Sequence, residues 1–429
     1  MSGGGSSPFL RPENMVHQTM ATKINPAPRA SSNISVMGRF RLACGGLAIL
    51  GSLVACGSAP PLPREAPLPV AAPQAPATPA TTPVPLAAPE PAATGPVLTR
   101  ARSRWVPVTW SELAGLEQDN LDQAWNAWLK SCERSASLPQ ALGALCPQVR
   151  VLSIAGPQQQ YAWLQSRLQP YRVESLQGEA RGLLTAYFEP LVDASRSPQP
   201  GFGVPLYAPP AGLANRKPWY TRQEMDTLPE AQTALKGRAV AYLADPVDAL
   251  ILQIQGSGRM RVQQPDGSSR TSRLAFAGTN EQPYKSVGKW LLDQGLVKDA
   301  SWPGIKAWLA QNPQRQQELL WSNPRMVFFR EEPLSDMDAD YGPRGAQGVA
   351  LTAGRSIAID PGSMPYGTPV WLVSGGAQTQ LQKLVIAQDT GSAITGAVRA
   401  DYFAGWGAQA GELAGRLKQP LQMWVLWPK

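Results

Sequence analysis

Two carboxylates lie among small residues in the stretch 386–407, which reads IAQDTGSAITGAVRADYFAGWG. The apolar run at residues 384–388 that leads into it predicts a buried β-strand. Asp389 and Asp401 follow in surroundings with few other charged groups, and burial raises the pKa of a carboxyl group. A carboxylic acid that keeps its proton near neutral pH can act as a general acid. Asp401 is therefore our candidate for the catalytic residue.

The N-terminal region carries an export signal. Residues 39–56 have a basic start, a short apolar core and small residues before Cys56, as in a secretory signal that is too short to span a membrane. The sequence at 53–56, LVAC, looks like a bacterial lipobox, in which Cys56 is acylated and becomes the mature N-terminus. An ordinary signal cleaved elsewhere is the alternative. Residues 1–36 fit no part of a signal, so we expect the true start at Met37.

Removal of this leader restricts the possible chemistry. The single histidine of the chain, His17, lies within it. Without a histidine, nucleophile systems of the Ser–His and Cys–His type are excluded, as are the usual zinc sites. Acid–base chemistry must then come from Asp, Glu, Lys or Tyr, and we expect no metal and no cofactor.

Two cysteines remain beyond Cys56. Cys132 and Cys146 belong to an exported chain, in which a disulfide that closes their short loop is expected. Two buried free thiols are the alternative. The formal net charge of +8 suits an anionic surface, but no Lys/Arg run and no basic–aromatic array indicates nucleic acid.

The chain divides by composition. Residues 57–100 are rich in Pro, Ala and Thr, cannot bury a core, and predict an extended tether that spans on the order of 100 Å. Beyond Trp105, the TWSE sequence at 109–112 predicts a capping box that starts a helix. Further helices are predicted at 158–168, 284–292, 303–310, 315–321 and 402–417. Strands are predicted at 182–190, 239–243, 249–254, 326–329, 349–353, 356–359, 369–373, 384–388 and 421–427. The many short strands toward the C-terminus indicate a closed, barrel-like β fold.

Seven short motifs occur in a characteristic order. They are LTAYFEP at 184–190, QGSG at 255–258, YKSVGK at 284–289, NPRMVFF at 323–329, IDP at 359–361, AQDTG at 387–391 and RADYF at 399–403. Together with the lipobox, they resemble the membrane-bound lytic murein transglycosylase A family. The resemblance covers residues 105–429, and Asp360, Asp389 and Asp401 match the three aspartates for which its C-terminal 3D region is named.

The resemblance implies a mainly β fold with helices. A double-psi β-barrel, similar to the barwin and endoglucanase barrels, would be formed by residues 101–190 and 345–429. A second β-rich domain at residues 191–344 would be inserted between these two segments, leaving a groove for a glycan strand.

The resemblance also assigns roles to residues. Asp401 matches the single catalytic acid, Asp389 matches its neighbour in the groove, and Thr185, Tyr187, Gln255 and Ser257 would line the groove. Ala186 and Ser392 stand where many members of the family have glycine, which affects expectations of fine specificity. Asp360, before Pro-Gly, is expected to be a turn residue.

The implied reaction is cleavage of the β-1,4 bond between N-acetylmuramic acid and N-acetylglucosamine in peptidoglycan, with formation of 1,6-anhydro ends. One alternative keeps the fold and uses Asp389 and Asp401 as the base and acid of an inverting hydrolase. Another is a non-catalytic lipoprotein that binds peptidoglycan.

The expected location is the outer membrane of a Gram-negative bacterium, facing the periplasm, with acylated Cys56 in the lipid. Gly57, rather than an aspartate, follows the lipidated cysteine, which by resemblance favours the outer membrane. Expected partners are glycan strands and a wall-synthesis or hydrolase complex, and the expected state is a monomer.

Overall fold

The computed structural model describes residues 95–336, 338–376 and 379–429. The predictions for the leader, for Cys56 and for most of the tether lie outside the described residues. Within them the order of elements is mixed, with strands and helices alternating along the chain.

The described residues contain fifteen β-strands: β1 (Leu98–Thr99), β2 (Arg104–Pro107), β3 (Leu168–Glu174), β4 (Gly182–Glu189), β5 (Leu191–Ala194), β6 (Val204–Tyr207), β7 (Ala239–Leu243), β8 (Gly258–Gln263), β9 (Ser269–Thr279), β10 (Val327–Pro333), β11 (Ser356–Ile359), β12 (Pro369–Gly375), β13 (Gln380–Asp389), β14 (Arg399–Trp406) and β15 (Lys418–Pro428). They contain eleven α-helices: α1 (Leu121–Glu133), α2 (Gln140–Gly143), α3 (Cys146–Val151), α4 (Pro157–Arg167), α5 (Arg222–Thr227), α6 (Pro229–Leu235), α7 (Pro246–Gln255), α8 (Val287–Asp293), α9 (Trp302–Gln311), α10 (Gln316–Trp321) and α11 (Gly407–Arg416). Short 3₁₀ turns occur at Trp110–Glu112, Leu116–Gln118, Ser135–Ser137, Leu152–Ile154, Leu213–Asn215 and Pro313–Arg315.

The largest sheet combines strands from both ends of the described chain. Its nine strands are in the order β1-β2-β3-β15-β12-β13-β11-β14-β4, and β15 also pairs with β4. The six strands from β15 round to β4 therefore form a ring of paired strands. Side chains that alternate along these strands fill its core, including Leu184, Ile357, Val385, Ala400 and Val425, which are all fully buried.

The middle of the chain forms smaller sheets. Four strands pair in the order β10-β9-β8-β5, and β6 pairs with β7. Leu206, Met260, Leu274 and Phe329 are fully buried between these sheets. A separate helical core contains Leu250 of α7, Leu291 of α8 and Leu319 of α10.

Helices α1, α3 and α4, from the N-terminal part of the described chain, pack against the large sheet. Trp125 and Trp128 of α1 are fully buried and contact each other at a tilt, with ring centroids 5.4 Å apart. Both contact Trp163 edge to face, with centroids 5.7 Å apart. These tryptophans are core residues, as predicted. The predicted disulfide between Cys132 and Cys146 is present, with the two sulfurs 2.03 Å apart.

Most predicted elements are confirmed to within a few residues, but the helix predicted at 402–417 is wrong in its first part. Residues 399–406 form β14, and only Gly407–Arg416 is helical. Ala400 and Tyr402 point into the core, whereas Arg399 and Asp401 remain partly exposed, so the burial period is two. The candidate catalytic carboxylate thus lies in a strand.

The strand predicted at 249–254 is also wrong, since it is part of helix α7. Asp245 caps this helix by accepting a hydrogen bond from the Val247 amide, and Pro246 is its first residue. Because most of its faces are buried, its apolar run shows no helical period.

The capping box predicted at 109–112 and the strand predicted at 349–353 are also wrong. The Thr109 hydroxyl contacts Ser111 rather than a backbone amide, and helix α1 begins only at Leu121. The strand predicted at 349–353 is a loop with one isolated bridge, between Arg344 and Ala350. Of the helices that the structure describes, none is long and apolar enough to cross a membrane.

Candidate active site

Four neighbouring strands bring the candidate residues into one row. Ala358 of β11 pairs with Asp389 of β13 on one side and with Asp401 of β14 on the other. Asp401 in turn pairs with Thr185 of β4. Since adjacent strands lie about 4.8 Å apart, the two aspartate Cα atoms are roughly 10 Å apart. Ala358, the residue between them, is itself buried.

A register shift selects Asp389 for this row. Ile357 pairs with Ala387, so regular pairing would bring Gln388 opposite Ala358. The ladder shifts by one residue there, and Asp389 takes that position. Gln388 is instead fully buried and donates to the Ala127 carbonyl on α1. A bulge of this kind turns a particular side chain toward a site.

Asp401 is held by a chain of hydrogen bonds with a fixed direction. Arg399 donates from Nη2 to the Thr185 hydroxyl over 2.8 Å, and Thr185 hydrogen-bonds Oδ1 of Asp401. A guanidinium can only donate, so the Thr185 hydroxyl accepts from Arg399 and keeps its own proton available to donate to Oδ1 of Asp401. Oδ2 of Asp401 accepts no hydrogen bond from the described residues, and it is therefore the oxygen that can carry a transferable proton.

The environment of Asp401 favours its neutral form. Burial raises the pKa of the Asp401 carboxyl, and the Thr185 hydrogen bond and the Arg399 charge offset part of this rise. Burial also lowers the pKa of Arg399. A carboxyl group with a raised pKa has the property required of a general acid near neutral pH.

Asp389 is bonded on both oxygens. Its Oδ1 accepts from the backbone amides of Ala346 at 2.8 Å and Thr390 at 2.9 Å, and its Oδ2 accepts from the Tyr187 hydroxyl at 2.8 Å. Burial raises the pKa of Asp389, those hydrogen bonds lower it, and the charge of Asp401 raises it. Burial and the Asp389 charge raise the pKa of Tyr187 well above its usual value. Tyr187 therefore stays protonated and donates to the carboxylate.

Asp360 links two turns by hydrogen bonds. It accepts from the Gly362 amide and from the Gly396 amide, each over 2.8 Å, and Arg102 lies 3.5 Å away. The Gly396 contact anchors the loop that leads into β14. These contacts are those of the predicted turn residue.

The candidate groove residues Gln255 and Ser257 lie at the C-terminal end of α7. The side-chain carbonyl of Gln255 accepts from the Phe188 amide over 3.0 Å, which fastens this end of the helix to β4 beside Tyr187. Gly256 has a φ of +82°, a conformation that glycine adopts without strain. Ser257 follows and is buried. The candidate lipidation residue, Cys56, lies outside the described residues.

Sequence reasoning missed Arg399. Its position two residues before Asp401 puts both side chains on one face of a strand, but the helix predicted from residue 402 concealed that relation. In the ranges that the structure describes, no three His, Cys, Asp or Glu side chains are grouped so that they could hold a metal ion.

Comparison with known proteins adds two matching family models. The MltA specific insert domain matches residues 183–330, and the 3D domain matches residues 355–427. A membrane-bound lytic murein transglycosylase A of Vibrio cholerae is 31% identical over 268 residues, which cover 58% of this chain and 67% of that protein.

Solved structures agree in fold. The lytic transglycosylase LtgG of Burkholderia pseudomallei is 40% identical with a TM-score of 0.54, covering 79% of this chain and 99% of that one. A monoclinic form of MltA from Neisseria gonorrhoeae is 28% identical with a TM-score of 0.64, covering 79% and 96%. The fold is thus of the mixed helix-and-sheet class found in MltA structures. The chain belongs to the membrane-bound lytic murein transglycosylase A family.

Proposed function

We propose that this chain is a lytic transglycosylase of peptidoglycan. It cleaves the β-1,4 bond between N-acetylmuramic acid and N-acetylglucosamine and leaves 1,6-anhydro ends. The observation that carries the proposal is the difference in hydrogen bonding between the two carboxyl groups. Asp401 has one oxygen free to carry a proton, whereas both oxygens of Asp389 already accept hydrogen bonds.

The first step is proton donation to the leaving sugar. Protonated Asp401 donates from Oδ2 to the glycosidic oxygen, and the C–O bond of the muramoyl residue breaks to an oxocarbenium-like state. Thr185 donates to Oδ1, and Arg399 holds the Thr185 hydroxyl in place through a second hydrogen bond. The Asp401 carboxylate that forms is then stabilised by this hydrogen bond and by the nearby guanidinium.

The second step closes a ring within the substrate. The Asp401 carboxylate accepts the proton of the muramoyl 6-hydroxyl, and that oxygen bonds to the anomeric carbon. Asp401 is then protonated again and ready for the next cycle. An intramolecular nucleophile needs no site for an activated water, so one carboxyl group serves both steps.

An inverting hydrolase on the same fold is the second candidate. It needs a carboxylate base about 6.5–9.5 Å from the acid, and the strand spacing allows Asp389 such a separation. A base must also have a free lone pair that faces the water. The two amides and the Tyr187 hydroxyl that Asp389 accepts favour a structural carboxylate instead.

Product analysis tests the proposal. Digested peptidoglycan examined by mass spectrometry should contain 1,6-anhydro ends, whereas reducing ends in their place would identify the hydrolase. Asp401→Asn should abolish release of muropeptides while binding to sacculi persists. Unchanged release by this variant would overturn the assignment of Asp401, and absence of release by the unmodified protein would favour the non-catalytic binding protein.

The domain arrangement follows from the same proposal. The ring of six strands is proposed to be a double-psi β-barrel built from residues 101–190 and 345–429. Residues 191–344 are its insert, and the glycan strand lies in the groove between them. The pairing of β15 with both β12 and β4 supports closure of the barrel.

Acylation of Cys56 is proposed to anchor the protein in the outer membrane, with the folded part in the periplasm. The matching relative is described as membrane-bound, which supports this location. Labelling cells with a palmitate analogue tests it, since the label should be lost in Cys56→Ser. Incorporation that persists in this variant would exclude the lipid anchor.

A further inference from the structure

Trp406 is the most exposed tryptophan among the described residues. It is 44% exposed, whereas the others there are buried or half-buried. It lies at the end of β14, opposite Glu189 at the end of β4. These two strands carry Asp401 and Thr185, so Trp406 belongs to the same pair of strands as the catalytic carboxyl group.

One face of the indole is covered by a fixed cation. The guanidinium carbon of Arg259 lies 4.2 Å from the ring centroid. Arg259 is buried, donates from Nε to Glu189 over 2.8 Å and from Nη2 to the Tyr341 carbonyl over 3.0 Å. The exposed surface of the ring must therefore come from its edge and its other face.

The side chains beneath the indole ring of Trp406 are held rigidly. Glu189 is fully buried and also accepts from Arg273 over 2.7 Å. Arg273 donates to the same Tyr341 carbonyl, also over 2.7 Å. A side chain held by such a network loses little freedom when a ligand binds, and this increases affinity.

The position of Trp406 suits a ligand that extends away from the cleavage site. Asp401 pairs with Thr185, and Trp406 pairs with Glu189, four residues further along β4, so the two positions lie about 13 Å apart along the strands. Arg259, beneath the ring, lies two residues beyond Ser257. Trp406 is thus close to both segments that are expected to line the groove.

We propose that Trp406 is a stacking platform for one pyranose ring of the glycan strand, several sugars away from the bond that Asp401 cleaves. The C–H groups on one face of a pyranose are weakly positive and match the negative face of an indole. Arg259 orients the ring by a cation–π contact from the opposite side. This subsite rests on the proposed function for its ligand, a chain of N-acetylated sugars.

Calorimetric binding tests the platform without any dependence on cleavage. The probe is a hexasaccharide of N-acetylglucosamine, titrated into full-length Asp401→Asn protein. Addition of Trp406→Leu, which keeps apolar bulk but has no aromatic face, should weaken binding about 5- to 10-fold, as expected for the loss of one aromatic contact. Trp406→Tyr should restore most of the affinity, and the disaccharide should bind the Leu and Trp forms equally.

A matched control is available on helix α8. Trp290 is half-buried and also lies near a guanidinium, that of Arg315 at 5.9 Å, but it belongs to the helical core. Trp290→Leu should leave hexasaccharide affinity unchanged.

Three results would overturn the platform: equal affinity of the Trp406→Leu protein, equal weakening by Tyr and Leu, or no binding of the hexasaccharide. A failure of the unmodified protein to release anhydro products would instead overturn the proposed function, because that readout does not involve Trp406.

Discussion

Thr185 is expected to set the acidity of Asp401, and Thr185→Val tests this at constant side-chain shape. The substitution removes the hydroxyl that donates to Oδ1 of Asp401 and accepts from Arg399. The hydrogen bond stabilises the charged carboxylate, so its loss raises the pKa of Asp401.

The size of the effect follows from the energy of that bond. A hydrogen bond to a charged group contributes about 1.5–3 kcal/mol. One pKa unit corresponds to about 1.36 kcal/mol, so the pKa of Asp401 in the variant should lie about one to two units above that of the unmodified protein. Protonated Asp401 then persists to higher pH, and the alkaline limb of the kcat profile moves upward by a similar amount. A weaker, less well oriented acid should lower kcat at the optimum by about 10-fold or more.

The assay is the rate of soluble muropeptide release from sacculi, measured across pH at saturating substrate. Thr185→Ser keeps the hydroxyl and serves as the control, so its alkaline limb should stay close to that of the unmodified protein. Superimposable pH profiles of kcat for Thr185→Val and the unmodified protein would refute the role of the Thr185 hydrogen bond. An equal movement of the limb in the Ser and Val variants would also refute it, because the hydroxyl would then not be the cause.

Three further predictions concern stability. Burial raises the pKa of Asp401 in the folded state, so this group favours folding at low pH and loses that contribution as pH rises through the folded pKa. The Asp401→Asn protein should therefore melt a few degrees higher than the unmodified protein at pH 7 but not near pH 3. A difference in melting temperature that does not depend on pH would contradict this. Replacing Cys132 and Cys146 by serine opens a loop with a sequence separation of 14 and should lower the free energy of unfolding by about 3 kcal/mol. The measurement is a denaturant titration, with the reduced unmodified protein as control. Equal midpoints for the serine variant and the oxidised unmodified protein would exclude the effect. Glu189→Gln leaves two buried guanidinium groups without their carboxylate and should cost about 3–5 kcal/mol, whereas Glu332→Gln, at an exposed ion pair, should cost less than about 1 kcal/mol; similar losses in the two variants would argue against a buried network.

Local sequence patterns predicted the elements whose signal is contained in a short window. The strand at 356–359 is fully buried along its length, and the disulfide joins cysteines that are close in the chain. The absence of histidine beyond the leader is likewise a property of composition alone, and it restricted the candidate acids and bases to Asp, Glu, Lys and Tyr. Where two patterns compete in one window the prediction failed, as in α7, whose buried apolar run is compatible with either a strand or a helix.

Sequence alone determined that Asp401 was the leading candidate and that a second aspartate lay near it in the chain. Only the tertiary structure decided what each carboxyl group can do. Thr185 is separated from Asp401 by 216 residues, and Tyr187 from Asp389 by 202. The parallel pairing of β14 with β4 and a one-residue shift between β11 and β13 bring these side chains together. Because hydrogen-bond direction and pairing register depend on partners that are distant in the chain, no local pattern could distinguish the bonded carboxylate from the one that is free to donate a proton.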